Sequence, residues 1–475
     1  MNKLDRENIG WWYLPSNPTE RLTGTLTIDD DNVCKLKMAH NFGGLSGIGV
    51  NELPIIHGVL SNGKEVTLVN SIKTNERWGF PGFPVSVWSS SLAVIGGLYN
   101  EDKDIALSEI KATYESLNLW LNKRPFEINA SPASYEVFMH YKMPDVIKVE
   151  NSNFNIEFTY KVNSSGDLYS KFEVIQTEFV RFIFKEKTHY KEGINVVDDF
   201  SNFLTLCIGK NVNCGNFFAK DIQGKDIILL LKSQKDNSET VKDHEIIIKF
   251  SFIEDSFETC IQTWSAKKEL LEPIIHYFVE AHEKGFHVPM SYLKVVQALE
   301  AFSRRMRNNK MWSEEEFEEM IERITSQLQD EDDRKLISGI ISNEPRLRQR
   351  LNEILLEVND IFEISSKNRK SYINKMVNTR NYYTHFDESL KDKIFKVETM
   401  YFITKYLKLV LRVLLLRELG INNDLIKQRM SDNQELISVK EGLGLIPPVE
   451  LFRIEVKKST GDNSNENHQD SEETL

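Results

Sequence analysis

Asn378-Thr379-Arg380-Asn381-Tyr382-Tyr383-Thr384-His385-Phe386-Asp387 sets an arginine and a histidine five residues apart at the end of an amphipathic run. Upstream, Ile373, Met376 and Val377 recur at helical spacing, which predicts a helix leading into the stretch. Arg380 follows Val377 by three residues and so points along the same apolar stripe, where a guanidinium is costly unless paired or put to use. If the helix continued, His385 would stand about 140° round from Arg380. The two side chains then converge only if the helix breaks here, or if a second copy of the chain brings its own stretch opposite.

Chemically, an arginine and a histidine suffice to cut RNA without a metal. Imidazole titrates near neutrality and can take the 2′-hydroxyl proton. Guanidinium can hold the phosphate in a bidentate grip and stabilise its developing charge. The plainer reading of the spacing is a capped helix end with an exposed histidine. Basic side chains gather in the same half of the chain: Arg304, Arg305, Arg307 and Lys310; Arg346, Arg348 and Arg350; Lys367, Arg369, Lys370 and Lys375. Each cluster alone reads as a solvated helix face, and the three together suggest a phosphate-binding groove.

The surrounding sequence is helical. Ser313-Glu314-Glu315-Glu316 matches a capping box, followed by Phe317, Met320, Ile321 and Ile324 at helical spacing. Leu347, Leu351, Ile354, Leu355 and Val358 form another stripe. Ile394 to Leu419 predicts a long helix, apolar on nearly every side and ending at Gly420, so it is either central to a bundle or part of a subunit interface. Earlier in the chain the character changes. Seventeen of the 23 glycines and six of the seven tryptophans precede Ala266. Leu22 to Ile28 and Ile156 to Val162 alternate with period two, and Pro54 to Ile72 reads as a hairpin around Ser61-Asn62-Gly63. Phe203 to Ile208, Ile227 to Leu231 and His244 to Phe252 read as buried strands. The fold class is therefore α+β: a β-rich N-terminal region, antiparallel and sandwich- or barrel-like, then an all-α bundle.

Composition bounds the function. Across 475 residues the charge is 59 − 71 = −12, so the protein as a whole repels nucleic acid and anionic membrane. Met1 to Glu7 lacks the apolar run of a secretory signal, and Lys405, Lys408 and Arg412 interrupt the most apolar stretch, Tyr401 to Leu416. Four cysteines without a Cys-x-x-Cys pair argue against a disulfide framework or a structural zinc site, leaving the cytoplasm as the expected compartment. Other candidates are weaker. Gly43 to Gly49 lacks the Lys-Ser/Thr ending of a phosphate loop and leads towards strand residues. Trp11-Trp12-Tyr13 and Trp78 to Pro84 suit core packing better than a ligand surface. His189, Cys207, Cys214 and His244 match no zinc-ligand spacing.

Arg380-Asn381-Tyr382-Tyr383-Thr384-His385 resembles the Arg-Asn-x-x-x-His signature of the HEPN superfamily of RNases. The β-rich first part with the Gly58-to-Leu68 hairpin, and the helical second part with this motif late in it, resemble the ApeA family of anti-phage HEPN proteins from about Trp11 to Leu419. The resemblance implies a homodimer or higher homo-oligomer whose motifs face each other across a two-fold axis. It implies that Arg380 binds the phosphate, Asn381 orients it and His385 is the acid and base, with no cofactor and no metal. A further acidic or polar residue from another helix is common in such sites, and Glu300 is a candidate for it. The expected organisation is a β-rich sensor and regulatory region over 1–262, with a possible break near 145–155. A helical HEPN nuclease domain over 266–455 and a disordered acidic tail over 456–475 follow. The expected function is metal-independent endoribonuclease action on RNA in abortive-infection defence, with a phage-derived trigger and no membrane partner. The alternative is a non-catalytic ligand-binding protein with a β-rich recognition domain and a helical dimerisation domain. A carbohydrate-active enzyme is a third reading, for which no paired-carboxylate motif stands out.

Overall fold

A computed structural model describes residues 6–447, except 45–48, 78–81, 132–134, 168, 233–239, 284 and 286. Trp78, Phe80, most of the Gly-rich run and the 456–475 tail lie outside the described residues.

Six strands open the chain: β1 Glu7–Leu14, β2 Asn17–Ile28, β3 Cys34–Met38, β4 Glu52–Leu60, β5 Glu65–Arg77 and β6 Val85–Ile95. They pair antiparallel in the order β6-β3-β2-β1-β4-β5, and β5 pairs back to β6, which closes a barrel. The alternation read from Leu22 to Ile28 and the hairpin across Ser61-Asn62-Gly63 both belong to it. Inside it lie Trp12, Leu26, Leu36, Ile56, Leu68 and Trp88. Gly58 makes room for Trp12, since a Cβ there would sit 2.3 Å from the indole.

The sheet continues beyond the barrel. The strands β7 Ala106–Tyr114, β10 Ile147–Glu150, β11 Phe154–Gly166, β12 Phe172–His189, β13 Cys214–Asp221 and β14 Asp226–Leu231 extend it from β6 in the order β14-β13-β7-β12-β11-β10. Between β7 and β10 come the short helix α1 Leu117–Leu121 and a separate hairpin, β8 Phe126–Ser131 with β9 Glu136–Tyr141. Helix α2, Tyr190–Ile208, packs on the extended sheet through Val197, Phe200, Phe203 and Leu204. Phe203 to Ile208 is thus the last turn and a half of a buried helix, not a strand. His244 to Phe252 is not a strand either; it leads from a 3₁₀ turn into the helix α3 Phe250–Ile253. Ile227 to Leu231 is a strand as read.

The helical region comprises α4 Phe257–Ala266, α5 Lys268–His282, α6 Val288–Met306, α7 Glu314–Thr325, α8 Glu331–Ile340, α9 Leu347–Glu357 and α10 Asn359–Phe362. It continues with α11 Ser366–His385, α12 Val397–Glu418, α13 Asn423–Ser431 and α14 Gln434–Gly442. The apolar helix begins at Val397 rather than Ile394 and lies at the centre of the bundle, with Leu409 to Leu416 buried throughout. Its apolar sides are filled by the chain's own α2, α5, α6 and α14, so it needs no second subunit to cover it. The hydrophobic core that surrounds it runs unbroken from the extended sheet into the bundle. No helix among the described residues is long and apolar enough to cross a membrane.

Candidate active site

Helix α11 carries the motif, starting at a Ser365 cap whose hydroxyl accepts from the Asn368 amide. It runs without a break through His385 and stops at Phe386, whose left-handed backbone (φ 53°) ends the helix. Two buried hydroxyl groups hold it in place. Tyr292 of α6 donates to the Met376 carbonyl at 2.7 Å. Thr379 donates to the Lys375 carbonyl at 2.7 Å and accepts from the Phe395 amide at 3.1 Å, tying α11 to the segment that enters α12. Sequence reading passed over both residues. The signal for Thr379 is its place three residues after Met376 on the buried face.

Arg380 is half-buried, and its guanidinium has two partners in the same chain. Nη1 donates to Asn381 Oδ1 at 3.2 Å, and Nη2 stands 3.7 Å from Glu300 Oε2. The structure thus brings Arg380, Asn381 and Glu300 together, with Glu300 supplied by α6 and bridged on its other side by Arg304 at 3.3 Å. It does not bring His385 to them. Because α11 is continuous, the histidine points about 140° away and is exposed at the helix end, beside exposed Phe386. Burial raises the Tyr383 phenol on the same turn above its ordinary pKa. The Asp387 carboxyl just past the motif is held below the usual range, chiefly by hydrogen bonding to Ser389.

The basic clusters are largely taken up by folding. Arg304 pairs with Glu300 and Glu344, Arg305 donates to the Glu269 and Leu270 carbonyls, and Arg307 pairs with Glu357 and Glu418. Arg350 is fully buried against Ser303, Asn309 and Glu344, and Arg369 is buried with Asn352 as partner. A groove lined by all three clusters is therefore not what these residues form. Lys367, Lys370 and Lys375 remain exposed on α11 itself, upstream of the motif. The zinc candidates are apart in role: His189 caps α2, Cys207 is buried in it, and among the described residues no three metal-ligating side chains gather. Trp12 lies inside the barrel and Trp11 outside it, over the Arg21 guanidinium.

Comparison with known proteins agrees with this architecture. A family model described as ApeA N-terminal domain 1 matches residues 7–264, and one described as Apea-like HEPN matches residues 293–425, a span that contains Glu300 and the motif. No curated protein and no solved structure matches the chain. With its N-terminal match alone covering more than half of the 475 residues, and a HEPN match over the bundle, the chain belongs to the ApeA-like HEPN proteins.

Proposed function

We propose that the protein is an endoribonuclease of anti-phage defence whose active site is completed by a second copy of the chain. The observation that carries this reading is the unbroken α11, which presents Arg380 and His385 on different faces and leaves His385 exposed. Two copies related by a two-fold axis would set one helix's Arg380 and Asn381 against the phosphate and supply histidines from both sides. One imidazole removes the 2′-hydroxyl proton as that oxygen attacks phosphorus. The bond from phosphorus to the 5′-oxygen breaks, and the departing oxygen takes a proton from the second imidazolium. The product is a 2′,3′-cyclic phosphate and a free 5′-hydroxyl, with Arg380 neutralising charge on the phosphoryl oxygens. Glu300 would hold Arg380 in place until phosphate displaces it. The β-rich region, over 1–262, would sense infection and restrain the helical region in the cytoplasm of an uninfected cell. The sensing surface cannot include Trp12, which the barrel encloses.

The test is phage plating on cells carrying wild type, Arg380→Ala and His385→Ala at equal protein level. Protection should be lost in both variants, and purified wild type should cut RNA in EDTA while sparing DNA, which lacks the attacking hydroxyl. Protection that survives either substitution returns the protein to the non-catalytic, ligand-binding reading.

A further inference from the structure

Ten of the 28 exposed large apolar side chains among the described residues lie between 126 and 175. The β8–β9 hairpin is their centre. Neither of its faces is covered: Val137 is 69% exposed and Phe138 63%, although the two residues point to opposite sides. A two-stranded sheet open on both faces is marginal in water. The Phe126 and Tyr141 rings, 5.1 Å apart, pair its own two strands, and the Tyr141 hydroxyl donates to Gln176 Oε1 of β12 at 2.8 Å. Exposed apolar strands with open edges are sites of association.

We infer that β9 pairs antiparallel with β9 of a second copy of the chain, about a two-fold axis through Phe138. The hydrogen-bond pattern shows which groups are free to do so. Lys142 N donates to Pro125 O at 2.9 Å, and bonded pairs alternate along an antiparallel ladder. Glu127 with His140, Asn129 with Phe138, and Ser131 with Glu136 are then the bonded pairs of the hairpin. Val137, Met139 and Tyr141 aim their N–H and C=O groups at the open edge. A two-fold axis through Phe138 sets Val137 opposite Met139 of the copy, where these outward groups bond in both directions. It sets Phe138 opposite Phe138 and Glu136 opposite His140, apolar against apolar and acid against base, with no like charges opposed. A register displaced by one residue would set outward groups against inward ones and make no bonds. The strand is thus complementary to itself, which is what an isologous contact requires. This contact is separate from the motif on α11, so both together would join two-chain units, into a closed four-chain assembly if the two axes cross at right angles.

Cysteine cross-linking of the full-length chain tests this directly. Opposed residues of a non-bonded antiparallel pair have Cα atoms about 4.5 Å apart, within disulfide reach. Cys34, Cys207 and Cys260 are buried, and half-buried Cys214 is changed to serine in every variant tested. Under mild oxidation Phe138→Cys should give a band at twice the chain mass as the main product, reversed by reductant. Ile128→Cys, on the far strand of the same hairpin, should give none, since three strand spacings of about 4.8 Å separate it from its copy. Phe138→Asp should halve the sedimenting mass. The inference is overturned if Phe138→Cys stays single, if Ile128→Cys cross-links equally, or if Phe138→Asp sediments as wild type does. A hairpin captured by a different protein and not by itself also overturns it. None of these readouts involves RNA cleavage, so their failure leaves the nuclease reading untouched, and its failure leaves them untouched.

Discussion

Arg412 sits in the middle of the most apolar helix with its charge turned to the end of another. Its guanidinium donates to the Leu206 carbonyl at 2.7 Å and to the Cys207 carbonyl, so it caps α2 from within the bundle. Full burial pushes its pKa down to about 10. Gly209 ends α2 at φ 89°, and a Cβ there would lie 2.1 Å from the Arg412 Nη1, so glycine is needed twice over. Arg412→Met should cost about 3 kcal/mol by leaving those carbonyls unpaired, read from the denaturant midpoint. Nearby His282 is half-buried, and desolvation, aided by the charges of Lys408 and Arg412, lowers its pKa from 6.5 to about 3. A base depressed in the folded state is protonated first in the unfolded chain. Its contribution is therefore intact above pH 6.5 and is lost as pH falls towards 3, by up to about 1.4 kcal/mol per pH unit. His282→Gln should flatten the acid limb of a stability-versus-pH curve, and an unchanged slope would remove His282 from the account. At this scale the sequence was most legible in the motif, where Arg380, Asn381 and Glu300 do meet. The buried arginines were least legible, because a cationic cluster in the sequence does not show whether carboxylates such as Glu344, Glu357 and Glu418 will close on it.

Helix α2 shows what periodicity can and cannot reveal about an element. Its last residues, Phe203 to Ile208, are all buried, so no exposed position marks the 3.6-residue period, and a short, mostly apolar run of this kind fits a strand equally well. Barrel closure was open for a different reason. Each hairpin, β5–β6 included, is local, but the ring also needs β6 to reach back to β3 (Cys34 with Ser90) and β4 to β1 (Gly10 with Leu60), and that depends on strand tilt summed over six strands. The long apolar helix was read from its length and its glycine stop, yet its sequence fits both a bundle centre and an interface. The structure decides for the centre, and that changes the expected effect of mutation. Val413→Asp buries an unpaired carboxylate among α12's neighbours and should destabilise the protein by more than about 4 kcal/mol. Circular dichroism and sedimentation together check this: the outcome should be lost folding, and a folded monomer would mean the helix serves an interface after all.

Across the whole molecule, the two regions are not beads on a string. The seam is held by Trp264 Nε1 to Asp199 at 2.9 Å, Asn151 to Ser265 at 2.8 Å, and Arg412 on the end of α2. Beside it, α2's Asn195, Asp198 and Asn202 face α5's Lys268, Glu272 and His276 across a cleft of about 350 Å³. Cutting the chain at Ala266 would strip α2 and the extended sheet from the core they share with α5 and α12. That fragment should be insoluble, and its harmlessness in cells would say nothing about restraint. Control is better tested in the intact chain by loosening the seam at its polar rim, with Lys268→Ala and Asn151→Ala combined. Each change is small, so the fold should persist with a modestly lowered melting temperature. If the β-rich region restrains the nuclease, a trigger acts by favouring the released arrangement, and weakening the seam should mimic it. The double variant should then slow growth without phage, and adding His385→Ala should restore growth. Normal growth together with lost phage protection would mean that the β-rich region is required for cleavage instead of holding it back.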